Sequence, residues 1–166
     1  MPRREPKARY KRNLPHVQAA GKTFFITFRT IPGVELNPGA RSLVLGHCLH
    51  DHGRRYELLA AVVMPDHVHL LLTPRLEDPS APFSLAAIMS GIKGASAHSV
   101  NRLTGRRGQL WQDESFDHIQ RSEENARKVG EYISQNPVRK GLAETPDGYP
   151  WLWRRWVEGE RLHQKP

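Results

Sequence analysis

Two apolar runs, YELLAAVVM (56–64) and HVHLLLT (67–73), stand on either side of a Met-Pro-Asp turn, and no other stretch constrains the fold as much. Runs of this length, separated by so short a turn, read as the two strands of a hairpin. Both are apolar enough for buried sheet. His67 and His69 are the exception. Side chains alternate along a strand, so these two imidazoles share a face while Val68, Leu70 and Leu72 take the other.

The rest of the chain supplies a sheet around that hairpin. KTFFITFRT (22–30) is dense in β-branched and aromatic residues and reads as a strand, broken off by Pro32, Gly33 and Pro38. GARSLVLGHCLH (39–50) spaces Leu43, Leu45 and Leu49 for a helix. PRLEDPSAP (74–82) reads as a loop. Ser84 is placed to cap a long helix, with Leu85, Ile88, Ile92, Val100 and Leu103 near one stripe and Gly105 at its stop. GQLWQDESFDHIQR (108–121) holds a short strand around Leu110 and Trp111, then a second extended piece from Phe116 to Ile119. Ser122 caps a last helix, SEENARKVGEYISQN, with Glu123 and Glu124 in its first turn and Pro137 closing it. The order is β-α-β-β-α-β plus a C-terminal helix. It predicts an α+β fold, a ferredoxin-like or RRM-like antiparallel sheet with helices on one face.

A chain of 166 residues suits one domain with appendages. The expected organisation is a basic flexible arm over 1–13, a domain over 14–142, and a basic, aromatic C-terminal extension over 143–166. The single cysteine, Cys48, cannot form an internal disulfide and fits a reducing compartment. No apolar run approaches the roughly 20 residues that span a bilayer, and no apolar stretch follows the basic N-terminus as in a secretory signal. The expected location is cytoplasmic, at the nucleoid, with no membrane partner. A net charge of +8 points to a polyanion, and nucleic acid is the commonest one in a cytoplasm. A solvated basic surface without a dedicated partner is the plain alternative.

Two same-face imidazoles about 7 Å apart along a strand can converge on one ion. Imidazole suits first-row transition metals and manganese and suits calcium poorly. A site with two protein ligands leaves positions open for substrate oxygens. The competing reading is a pair of satisfied histidines on a solvent face, and Asp66 stands ready to orient a ring or add a carboxylate. Trp111, Phe116 and Trp153 are read first as core residues, with stacking on bases as the alternative role.

PDHVHLLL resembles the His-hydrophobic-His signature of the HUH single-stranded-DNA endonucleases, and the chain looks most like the REP-associated tyrosine transposases within them. LPHVQAAGKTFFITFR, SVNRLTGRRGQLWQDESFDHIQR and YISQNPVRKGL fit the same family in the same order. The resemblance implies that His67 and His69 bind a divalent metal, magnesium or manganese, that polarises the scissile phosphate of single-stranded DNA. It implies a tyrosine that attacks to leave a 5′-phosphotyrosine and a free 3′-hydroxyl, and recognition of DNA hairpins by a monomer or homodimer. Phosphate contacts are expected from Arg3, Arg4, Lys7, Arg9, Lys11 and Arg12 in the arm. Lys93, Arg106, Arg107, Arg139, Lys140, Arg154 and Arg155 are the later candidates.

The same pattern expects its tyrosine within the segment WQDESFDH, where Ser115 stands instead. A serine is shorter and its hydroxyl far less acidic than a phenol. Three readings follow: Tyr132 in EYISQN attacks instead; a metal-activated water hydrolyses the strand; or the protein is a regulatory one that binds hairpins without cutting. His118 is a candidate third metal ligand or catalytic base, with Asp117 beside it. Asn101 and Asn136 are assigned to structure or phosphate contacts. A generic metal hydrolase of small phosphate esters leaves the basic arm and the ordered segments unexplained.

Overall fold

The computed structural model describes residues 8–9 and 21–156. Twelve elements follow in order: β1 (Ala8–Arg9), β2 (Thr23–Thr30), α1 (Pro38–His50), β3 (Tyr56–Val63), β4 (His67–Pro74), β5 (Leu76–Asp78), β6 (Ala81–Pro82), α2 (Leu85–Thr104), β7 (Trp111–Gln120), α3 (Glu123–Arg139), a 3₁₀ turn (Pro146–Gly148) and β8 (Leu152–Arg154). Six strands form one antiparallel sheet in the order β1-β7-β2-β4-β3-β8. The expected ferredoxin-like order of the four long strands is there, with β4 and β2 at its centre.

The two crossover helices share one face, as expected. Phe24, Ile26, Phe28, Val68, Leu70 and Leu72 point from the sheet into a core closed by Ala40, Val44 and Cys48 of α1 and by Leu85, Ile88 and Ile92 of α2. The last helix departs from the expectation of helices on one face. α3 covers the opposite face, where Ile133 meets Ala60, Val62 and Leu71. A strand apolar on both parities, such as β3, needs that second cover: Val63 and Ala61 fill one core while Val62 and Ala60 fill the other.

Other differences have local causes. In α1 the fully buried stripe is Ala40, Val44 and Cys48, spaced by four, and the larger leucines sit beside it, partly buried. Small residues there let the helix approach the sheet closely. Leu103, at the end of α2, is 53% exposed, beyond the reach of the core stripe. The loop after β4 folds into a small hairpin, β5 with β6. The two pieces expected over 108–121 are one ten-residue strand, β7, which pairs with β2 along most of its length. Pro137 does not close α3, which runs on to Arg139. A proline removes a single helical donor, and in the last turn that loss is small.

Capping follows the sequence. Asn37, Ser84 and Ser122 accept backbone N–H bonds at the three helix starts, and Gly105 takes the left-handed conformation, φ 70°, that ends α2. The segment read as a C-terminal extension contributes β8 to the sheet edge and Tyr149 to the core under α3. The basic arm's Arg3, Arg4, Lys7, Lys11 and Arg12 lie outside the described residues, and Arg9 is described only as backbone in β1. Among the described residues no helix is long and apolar enough to cross a membrane.

Candidate active site

The site forms where the first residues of β4 meet the last residues of β2, beneath α3. Thr27 is in register with His69 and Arg29 with His67, so all four side chains share the face that α3 covers. Both histidines are buried, at 7% and 5% exposure. Their ring centroids are 4.8 Å apart at an interplanar angle of 74°.

Each ring is held by its Nδ1. His67 Nδ1 lies 2.6 Å from the Asp66 carboxylate, and His69 Nδ1 lies 2.7 Å from Thr27 Oγ1. A carboxylate accepts only, so the His67 proton sits on Nδ1 and its Nε2 keeps a lone pair. The hydroxyl of Thr27 permits the same tautomer in His69. Two Nε2 lone pairs on neighbouring rings, each fixed from behind by a hydrogen-bonded partner, is the donor set of a divalent transition-metal or manganese site.

Electrostatics keep the pair neutral. Burial, then the neighbouring His67, Arg29 and Arg139, lowers the His69 pKa to about 3. Burial also lowers that of His67, and the Asp66 hydrogen bond opposes the shift only in part. Asp66 itself is pushed up by burial, yet the bond from His67 and the charges of His67 and Arg29 leave it below the usual carboxylate range. A neutral imidazole beside an ionised carboxylate is the form that binds a metal.

The candidate nucleophiles separate by face. Ser115 is in register with Phe28 and points into the core under α2, 5% exposed, 3.2 Å from Lys93 Nζ. The sheet lies between it and the histidines. Asp117 is in register with Ile26 and shares that parity. Tyr132 stands on the histidine side: its ring centroid is 5.8 Å from that of His69 and 6.0 Å from that of Phe25. One helical turn further, Asn136 is 2% exposed, and its Nδ2 has no hydrogen-bond partner. An amide's nitrogen and oxygen are interchanged by a half-turn, so this side chain can equally present Oδ1.

His118 does lie on the histidine face, in register with Phe25, but Phe25 on the intervening strand separates it from the pair. Among the described residues no group of three His, Cys, Asp or Glu side chains is gathered for a metal. His118 instead lines a groove of about 1360 Å³ between the start of β2, the end of β7 and the first half of α3, with Lys22, Arg121 and Arg127.

The candidate phosphate contacts also divide. Arg139 and Lys140 end α3 next to the pair, and their charges act on His69 and His67 respectively. Lys93 donates to the Gln112 carbonyl at 2.7 Å and joins α2 to β7. Arg106, just past α2, donates to Asn101 Oδ1 on that helix, while Arg107 is exposed. Arg154 pairs with Asp147 at 2.5 Å, and Arg155 lies 4.0 Å from Glu57. Trp111 is core, its Nε1 on Ser96; Phe116 and Trp153 are half-buried. Arg29 escaped the sequence reading: exposed, and in register with His67. Period-two alternation puts it on the face of Thr27, but only the pairing of β2 with β4 places it at the site.

The crossover helices lie on one face of the sheet, and the buried histidine pair, Tyr132 of α3 and the basic residues Arg29, Arg139 and Lys140 lie on the other or at its end. The profile of the family described as "Transposase IS200 like" matches residues 47–136, and the chain belongs to that family. It is 26% identical over 101 residues to a Haemophilus influenzae protein described as "Putative REP-associated tyrosine transposase", a match that covers 58% of this chain and 57% of that protein's length. Its fold is similar to that of a REP-associated tyrosine transposase solved bound to a REP hairpin, with a TM-score of 0.70, 20% identity, and coverage of 93% of this chain and 88% of the other.

Proposed function

We propose that this protein cuts single-stranded DNA beside a hairpin, with Tyr132 as the attacking group and a divalent ion held by His67 and His69. One observation carries the reading: the Tyr132 ring stands 5.8 Å from His69, on the face where both histidines turn their free nitrogens. The hairpin as substrate is taken from the structural relative, whose own partner is a REP hairpin. The net charge of +8 suits such a partner.

In this reading His67 and His69 bind the metal through Nε2, and Asn136 completes the set through Oδ1, which accounts for its buried, unpartnered amide. Asp66 and Thr27 fix the rings. When bound, the ion supplies Lewis-acid relief of the charge that gathers on the phosphate oxygens, worth several kcal/mol. Metal dependence is general in the family, and manganese or magnesium is the proposed ion. The Tyr132 oxygen forms the bond to phosphorus while the bond to the 3′ oxygen breaks, leaving a 5′-phosphotyrosine and a 3′-hydroxyl. Arg29 and Lys140, beside the pair, hold the phosphate. The domain, with β8 as part of its sheet, carries this chemistry, and the basic arm over 1–13 holds the strand. Tyr132 on the histidine face, where Ser115 is not, favours this reading over that of a protein that binds hairpins without cutting.

A hairpin oligonucleotide with single-stranded flanks, labelled at its 3′ end, tests the proposal with magnesium or manganese. Wild type is expected to trap the label in an adduct that survives denaturation. Tyr132→Phe should abolish the adduct, and Ser115→Ala should keep it wherever the protein still folds. Cleavage without any adduct would transfer the reaction to water, and no cleavage under either metal would overturn the proposal.

A further inference from the structure

We propose that Arg139 is a positioning residue for Tyr132, a clamp that closes the open side of the phenol ring and holds it against the histidine pair. The inference rests on the reading of Tyr132 as the attacking group. Tyr132 is 45% exposed, an unusual freedom for a side chain that must meet a phosphate in one geometry. Among the described residues of the sheet, His69 and Phe25 meet it by edge contacts, at 68° and 74° between ring planes. Arg139 supplies the missing wall: its guanidinium carbon is 4.3 Å from the Tyr132 ring centroid.

The clamp is anchored at both ends. Arg139 Nη2 donates to Tyr132's own carbonyl at 3.0 Å, seven residues back, where two helical turns return to the same stripe. Its backbone is fixed by the closure of α3, in which Lys140 N–H bonds the Asn136 carbonyl, Gly141 N–H that of Val138 and Leu142 N–H that of Pro137. One side chain therefore ties the ring, the carbonyl of the same residue and the locked helix end together.

The placement has a chemical consequence. A planar cation over an aromatic face is attracted by the ring, and the attraction grows as the phenol becomes a phenolate. In the step it serves, the phenol proton leaves to solvent, the oxygen bonds phosphorus, and the released 3′ oxygen takes a proton from solvent. Arg139 exchanges no proton and forms no bond. It restricts the rotamers of a tyrosine that is otherwise half in water. Lysine keeps the charge but not the planar stack, and glutamine keeps neither.

Two measurements test the clamp. In single-turnover adduct formation, Arg139→Gln is expected to slow the rate ten- to a hundredfold with hairpin affinity changed less than threefold, and Arg139→Lys to recover part of the rate. An unchanged rate in Arg139→Gln, or a loss of rate matched by an equal loss of affinity, overturns the clamp; the second result makes Arg139 a phosphate contact. Independently of cleavage, NMR relaxation of ¹³C-labelled tyrosine should show the Tyr132 ring becoming mobile in Arg139→Gln. A ring equally ordered in both proteins also overturns it. If wild type forms no adduct while the ring is released in the variant, the clamp stands and the assignment of Tyr132 as nucleophile falls.

Discussion

His69 is a polar ring in a place built for apolar ones, and its surroundings set both its protonation and its use. In the unfolded chain an imidazole titrates near 6.5; in the fold, burial and the positive neighbours hold it near 3. Above pH 6.5 both states are neutral and the group adds nothing to pH dependence. As the pH falls from 6.5 towards 3, the unfolded chain takes up a proton that the folded chain refuses, so stability falls. At pH 4.5, two units below the unfolded value, this amounts to about 3 kcal/mol. Unfolding free energies from urea titrations at pH 7 and pH 4.5 should differ by that much more in wild type than in His69→Gln. The second consequence concerns Thr27. Removing its hydroxyl in Thr27→Val leaves the His69 ring without its hydrogen-bond partner, and manganese affinity measured by calorimetry is expected to weaken 10- to 100-fold. Unchanged affinity would show that the threonine orients nothing.

At the scale of elements, α3 is the component whose docking decides whether there is a site at all. Its apolar anchor is narrow: Ile133 is fully buried, with Ala126 and Val129 partly so, and most of the remaining surface is charged or polar. Gly130 tightens the anchor. A Cβ built there would stand 2.7 Å from the Trp156 ring, so the helix and the chain after β8 meet only because the side chain is absent. Gly130→Ala should cost about 1–3 kcal/mol by overpacking. It should also shift Trp156 fluorescence, and an unshifted spectrum at unchanged stability would place Trp156 elsewhere. The same helix shows what sequence can and cannot reveal. Its cap, its acidic first turn and the spacing of Tyr132 from Asn136 are local and legible. Which sheet face it covers is not, because β3 is apolar on both parities and offers α3 no polar warning. β7 was harder to read for a related reason. Among the described residues its outer neighbour is β1, which pairs with Phe116 and Asp117, and Asp113 and Glu114 are exposed within a continuous strand and disguise its alternation. Ser115 stands out through its chain neighbours, although parity places it with Phe28, on the face away from the histidine pair. The histidine pair was legible because alternation over two residues needs no knowledge of the partner strand; Arg29 was not, because it does.

At the scale of the molecule, one face of the sheet carries the α1–α2 core and the other the histidine pair, and the two can be probed separately. Cys48 lies in the first core at 0% exposure, and burial pushes its thiol up to about 12. It should resist thiol reagents at pH 8 until the protein opens globally, so its labelling rate reports the α1–α2 side alone. The opposite face reports through salt. Each phosphate that a cation neutralises releases condensed counterions, so binding to a single strand weakens with salt at a slope of about 0.7 per contact on logarithmic axes. Arg29 is exposed beside His67, and Lys140 is exposed at the end of α3, its charge felt by the same ring. If both hold phosphates, Arg29→Gln and Lys140→Gln should each flatten that slope by about 0.7, and the double variant by about twice as much. Neither should move the denaturation midpoint or the labelling of Cys48, since both side chains stand outside the core on the other side of the sheet. Lys93, whose ammonium joins α2 to the β7 backbone, is the internal contrast. Lys93→Gln should lower the midpoint and speed the labelling of Cys48 while leaving the salt slope of the folded protein unchanged. A slope that falls in Lys93→Gln but not in Arg29→Gln would mean that the strand runs over the helical face, and the division of the molecule argued here would be reversed.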